Sequence, residues 1–185
     1  MKTTRTIRLI TFLSTAVLLV STVADAQTRM PHAGANAIGG EIGVFPPRAD
    51  GMTTGLNIAG TLDHYLTARD SVRLAVEWAE PKVDVERTDS TRQVRVGADL
   101  VHNWEGGVIH PFVGAGLGAY FLQARDNGRN VGDATKFGGT LLGGLEFFTS
   151  RTFAVKAEAR YHVVTKWNGY DPSGFAFTIG AKGYF

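Results

Sequence analysis

The 185-residue chain has no cysteine. Disulfides are therefore excluded as the means of holding a small exported fold together, and Cys-ligated metal sites are excluded with them. No segment after the first 26 residues reaches 18 consecutive apolar residues, which excludes a spanning helix there. An excess of one charge sign is missing too. Removing residues 1–26 takes away three of the 19 basic and one of the 17 acidic residues, which leaves the remainder neutral. The pI of 9.0 belongs to the whole chain, so no nucleic-acid partner is expected, since such binding needs a concentrated basic surface. The five histidines, His32, His64, His102, His110 and His162, do not fall at metal-ligand spacing. No metal and no cofactor is expected. "GAGLGA" at 114–119 matches G-x-G-x-x-A, but strand-like "YFLQAR" follows it where a dinucleotide site needs a helix.

What is present begins with an address. Lys2, Arg5 and Arg8 precede an interrupted apolar stretch, Leu9 to Val23, and the small-x-small site Ala24-Asp25-Ala26. That is the layout of a cleaved secretory signal peptide. The stretch is short against the roughly 20 residues a membrane anchor needs. The reading divides the chain into a signal peptide at 1–26, an N-terminal periplasmic segment at 27–36 and one domain at 37–185.

From Ala37 onward the apolar pattern has period two. Eight runs are read, at 37–45, 55–66, 71–80, 92–104, 110–124, 136–148, 151–164 and 173–185. Each has one apolar face: Ile38, Ile42 and Val44 in the first, Val113, Ala115, Leu117, Ala119 and Phe121 in the fifth, Phe175, Phe177, Ile179 and Ala181 in the last. The other parity collects Glu41, Asp63, Arg73, Glu77, Arg95, Asp99, Glu146, Lys156, Glu158, Arg160 and Lys182. Arg92, at a loop edge, stands on the apolar parity. Connections alternate in length. Short ones are expected at 67–70, 105–109 and 149–150, and long ones at 46–54, 81–91, 125–135 and 165–172. Such a pattern describes an up-and-down meander with its loops sorted to one side.

Periodicity alone leaves two senses of closure open. A soluble lipid-binding barrel turns its apolar face inward, and a membrane barrel turns it outward. Three features favour the membrane sense. The runs suffice for a tilted membrane strand of roughly 9–11 residues. Trp78, Trp104, Phe147, Tyr161, Trp167 and Phe185 stand near run ends, as an interfacial girdle requires. The polar face also carries Gly39, Gly43, Gly97, Gly114, Gly116, Gly118, Gly138, Gly144 and Gly180, which would make room for long charged side chains in a narrow lumen.

The signal, the eight runs, "PFVGAGLGAYF" at 111–121 and the last run ending in Phe185 resemble the small outer-membrane β-barrel family of OmpA, OmpX and OmpW type. The resemblance covers essentially all of the chain after the signal. It implies an all-β fold, an eight-stranded antiparallel up-and-down transmembrane β-barrel, in the outer membrane of a Gram-negative cell. It also implies outer-membrane lipid and lipopolysaccharide as surroundings, and the barrel-assembly machinery as a partner reading Phe177, Ile179, Tyr184 and Phe185. The family often has a large aromatic two residues before the terminal Phe. Gly183 stands there, and Tyr184 and Ile179 are expected to compensate.

No catalytic set is expected. Ser71, Ser90, Ser150 and Ser173 all lie at turns or loop edges. The barrel lipid A deacylases carry His-x-Ser on a late strand, whereas Val164 stands two residues after His162. The expected role is structural or interactive, with the eleven charges paired into a plug. The alternatives are a narrow pore or conduit for small apolar molecules, a soluble periplasmic lipid binder and, last, a lipid A-modifying enzyme.

Overall fold

The computed structural model describes residues 31–83, 90–104, 107–127, 129–167 and 169–185. The expected signal peptide and residues 27–30 of the 27–36 segment lie outside the described residues. Eight strands follow in chain order: β1 (Asn36–Phe45), β2 (Met52–Tyr65), β3 (Asp70–Val83), β4 (Ser90–Asn103), β5 (Ile109–Asp126), β6 (Arg129–Phe148), β7 (Phe153–Val164) and β8 (Gly174–Tyr184). Each pairs antiparallel with its neighbour, and β8 pairs back onto β1 from Ala37↔Tyr184 to Val44↔Phe177. The result is a closed barrel with no free edge along the seam.

Alternation decides which residues go where. The apolar parity faces outward: Ile38, Leu74, Leu100, Leu117, Phe137, Leu141 and Ile179 are each more than half exposed, Leu117 at 76%. So large an unbroken apolar surface suits hydrocarbon and not water. Trp104, Phe147 and Phe185 stand near the short-turn end of this surface, and Trp78 and Tyr161 near the long-loop end. Trp167 does not join either belt. It packs against the cluster of Tyr120, Leu122 and Val164 at the barrel mouth.

Two expected long loops are partly strand. The ladder between β5 and β6 continues to Asp126↔Arg129, so 125–135 is a hairpin tip and not a long loop. Its Asp, Asn and Gly residues read as irregular chain, yet only the connection between Asp126 and Arg129 turns, with Asn127 at φ 47°. The register slips by one residue between Ala124 and Arg125, a bulge that offsets the tip. Likewise β3 runs to Val83 and β4 begins at Ser90, so only 84–89 of the expected 81–91 loop lies outside the described residues. With 18 and 20 residues, β5 and β6 overshoot the roughly 9–11 that a tilted strand needs to cross a bilayer. The barrel is therefore tallest along β5 and β6 and lowest along β7, β8 and β1.

Glu80 shares the outward parity with Arg92. The two meet at 3.4 Å, with the Arg92 guanidinium 6.0 Å from the Trp78 ring. Both charges stand above the Trp78 belt, where water and headgroups reach them.

Candidate functional site: a charged lumen

The eleven charges expected on the polar parity all lie in the barrel interior, and none is more than 6% exposed. Register places opposite signs abreast: Asp63↔Arg73 between β2 and β3, Arg73↔Asp99 and Glu77↔Arg95 between β3 and β4, and Glu146↔Lys156 between β6 and β7. From that start the side chains reach farther than their ladder neighbours. Arg73 Nε donates to Asp63 at 2.9 Å, while Nη1 crosses to Glu158 on β7 at 2.7 Å. Arg95 donates to Glu77 at 2.7 Å and to Asp99 at 2.5 Å. Arg160 meets Glu77 at 2.7 Å, Asp99 at 2.8 Å and Glu158 at 2.8 Å. Lys156 joins Glu41 at 2.5 Å to Glu158 at 3.2 Å. Lys182 meets Glu146 at 2.8 Å and Asp63 at 3.5 Å.

These contacts connect every one of the eleven. Starting at Glu146, a path runs through Lys182, Asp63, Arg73, Glu158 and Arg160 to Glu77, Asp99 and Arg95, with Lys156 and Glu41 branching from Glu158. Thr140 adds a donor to Asp99 at 2.9 Å, and Thr178 adds one to Glu41 at 2.6 Å. Burial of unpaired ions costs several kcal/mol each, so the continuous pairing is what makes this interior tolerable.

Small residues create the space. A methyl group at Gly97 would stand 2.6 Å from Arg95 Nη2, and one at Gly118 would stand 2.9 Å from Arg95 Nε. The guanidinium therefore lies over backbone that carries no side chain.

Sequence reading missed the two layers that close this chamber. At the short-turn end, Tyr65, Phe112, Phe148 and Tyr184 point inward. Tyr184 donates to Glu146 at 2.5 Å, and Lys182 donates to Tyr65 at 2.9 Å. At the mouth, Phe45, Tyr120, Leu122 and Val164 are buried, with Trp167 packed on the last three. The loop between β7 and β8 also sends Tyr170 toward Thr91 on β4, and burial pushes that phenol up to about 12. These residues occupy the charged parity near the run ends. That position was the available signal, since an aromatic on a polar face of a narrow barrel has only the lumen to enter.

The four residues expected to carry an assembly signal divide. Phe177 and Ile179 face outward at 48% and 65% exposure, and Phe185 is exposed at the turn end. Tyr184 points into the lumen and does not share their surface. The outward position beside Phe185 is Gly183.

His110 is buried against Phe148 at the short-turn end, and His162 lies deeper, among the ion pairs. Its Nδ1 and the Tyr120 hydroxyl share a hydrogen bond at 3.0 Å, and its Nε2 lies 3.4 Å from Glu77. The void beside it, lined by Phe45, Asn57, Gln93 and Arg95, has no room for a water molecule. Ser173 bonds the backbone of Val164 and Ser90 bonds Glu80. Among the described residues no serine hydroxyl bonds a histidine, and no His, Asp or Glu cluster could hold a metal ion.

Residues 12–185 match the family model described as "Outer membrane protein beta-barrel domain". A comparison with curated proteins gives no match. Among solved structures, the chain is similar to Neisserial surface protein A, with a TM-score of 0.64 and 15% identity over 82% of this chain and 97% of that one. It is also similar to OprG from Pseudomonas aeruginosa, with a TM-score of 0.64 and 13% identity over 87% and 99%. The N-terminal β-barrel domain of OprF from Pseudomonas aeruginosa gives 0.58 and 17% over 84% and 100%. At these identities the likeness is one of fold.

Proposed function

The chain belongs to the outer membrane protein β-barrel domain family, and from that premise we propose that it is a non-conducting structural and interaction barrel. The observation that carries this reading is the single connected network of eleven buried charges, closed above and below by aromatic layers. A pore needs a continuous aqueous path. Here the lumen is crossed between β3 and β7 by the Arg73–Glu158 and Arg160–Glu77 pairs, both at 2.7 Å. Fold does not assign function, so the proposal rests on this interior and not on the neighbours.

In this reading the signal peptide is cleaved and the barrel inserts with its long hairpins outward. The tall hairpin of β5 and β6 stands above the lipopolysaccharide surface. The outward Phe177, Ile179 and terminal Phe185 meet the assembly machinery, without help from the inward Tyr184. No catalytic role is proposed, because His162 beside the ion pairs is bonded to Tyr120 and sealed from solvent.

Bilayer recordings test the proposal. The refolded protein is expected to give no steady conductance. A reproducible channel from the unmodified protein would overturn the plug and favour transport.

A further inference from the structure

The outer wall of the barrel is indented along β7. The outward residues there are Ala157 and Ala159, and Gly143 on β6 stands abreast of Ala159. On the other side, Ile179 and Phe177 of β8 stand abreast of the two alanines. Phe175 and Phe177 stack at 5.9 Å with their rings only 12° apart, so this side of the indentation is a flat aromatic wall. The groove so formed has a volume of about 520 Å³, within the range of roughly 300–1,000 Å³ seen for small-molecule sites. It opens onto the hydrocarbon, so what fills it is apolar chain and not water.

Two opposite charges stand above this groove. The next outward residue on β7 is Tyr161, which packs on Phe175 at 4.6 Å. Its hydroxyl accepts from Arg48 Nη1 at 3.3 Å. The Arg48 N–H donates to the Ser173 carbonyl at 2.9 Å, and the Ser173 N–H donates to the Asp171 carboxylate at 3.0 Å. Backbone pairing at the rim therefore sets a guanidinium and a carboxylate near one another. Among the described residues they close no ion pair with each other. They are close enough to interact all the same: the Ser173 bonds hold the Asp171 carboxyl low, and Lys166 and Arg48 lower it further. Arg48 and Lys166 are exposed.

We propose that this wall is a binding site for a zwitterionic glycerophospholipid whose headgroup ends in a primary ammonium. An acyl chain lies in the groove over Ala157 and Ala159, the phosphate accepts from Arg48, and the ammonium donates to Asp171. Charge complementarity selects this headgroup. A guanidinium matches a phosphate by paired donors, and the exposed Lys166 adds to the attraction. A purely anionic headgroup gains from Arg48 but is repelled by Asp171, whereas a zwitterion gains from both. A quaternary ammonium has no N–H to give the carboxylate. The site lies on the outer wall and leaves the lumen untouched. It therefore goes beyond the plugged-barrel reading and stands or falls separately from it.

The test uses the whole protein refolded in detergent micelles, so it does not depend on orientation or conductance. The probes are phosphatidylethanolamine, phosphatidylglycerol and phosphatidylcholine of one chain length, and lipid A. Amide shifts at Ala157 and Ala159 report on the groove, and the shift at Ser173 reports on the rim. Phosphatidylethanolamine is expected to move both sets and to bind about fivefold more tightly than phosphatidylcholine, the scale of one exposed charge contact. Asp171→Asn should remove that preference, and Arg48→Gln should weaken both lipids alike. Ala159→Leu fills the groove, so lipid binding should be lost from a barrel that still resists SDS. Equal binding of phosphatidylcholine, tighter binding of phosphatidylglycerol or lipid A, or unchanged binding by folded Ala159→Leu would each overturn the proposal. So would the absence of any lipid-dependent shift, or shifts that follow protein concentration without lipid, which would make a second copy the occupant.

Discussion

Arg73 on β3 and Glu158 on β7 stand on opposite walls of the barrel and meet across the lumen at 2.7 Å. The same guanidinium holds Asp63 at 2.9 Å through its Nε. Removing it leaves two buried carboxylates short of a cation. Arg73→Ala is expected to lower stability by about 3–5 kcal/mol, the usual cost of breaking a buried pair from one side. Urea unfolding in micelles, followed by the heat-dependent gel shift, measures it. A loss below about 1 kcal/mol would mean that the pair behaves as an exposed one.

The outward and inward parities predict opposite responses to one chemical change. Val96 and Arg95 are adjacent on β4, one facing lipid and the other at 1% exposure inside. Val96→Arg should cost roughly 2–4 kcal/mol near the midplane and reduce insertion into vesicles. Arg95→Ala should insert normally but unfold at lower temperature, because Glu77 and Asp99 lose a shared donor. Comparing membrane yield with unfolding temperature separates the two.

Two glycines make a sharper pair. A methyl group at Gly116 would collide with the Asp99 carboxylate and the Ala98 carbonyl, whereas one at Gly40 meets nothing within 4 Å. Gly116→Ala is expected to destabilise by about 1–3 kcal/mol through overpacking, and Gly40→Ala to stay within about 0.5 kcal/mol. Equal effects would show that the lumen yields where the structure makes it tight.

The loop between β7 and β8 supplies a pH test outside the membrane. Ser173 N–H donates to Asp171 at 3.0 Å, and the bonds from Ser173 hold that carboxyl below its ordinary value. Its folded pKa is depressed, so its contribution is present above the usual carboxylate range of about 4 and is lost as pH falls below it. Amide exchange at Ser173 should rise in that acidic window. Asp171→Asn should abolish the pH dependence while the barrel stays folded.

The sequence made the barrel legible because one rule, period two, governs both its walls. The side-chain direction of Glu77, Arg95, Glu158 and Arg160 follows from the parity of Val76, Val96, Ala157 and Tyr161, and needs no knowledge of contacts. Partner choice did not follow. Arg73 and Glu158 are 85 residues apart and meet only because closure brings β3 opposite β7. The hairpin tip was misread for a local reason. Asn130, Gly132 and Asp133 have the composition of a loop, but their neighbours on β5 supply the backbone partners that make them strand. The aromatic layers were hidden by the same rule that exposed the charges, since Phe45, Tyr65 and Tyr120 stand on a parity labelled polar.

The sealed chamber bears on time as well as on energy. No ion pair in it can separate until water arrives, and water cannot arrive until Trp167 and Tyr120 at one end, or Tyr184 and Phe148 at the other, have moved. The first step of unfolding must therefore open a seal while the ion pairs behind it are still intact, which raises the barrier whatever the net stability. Persistence of this barrel is then set by a rate of opening, and a variant could lose little equilibrium stability yet fail within hours because its seal leaks.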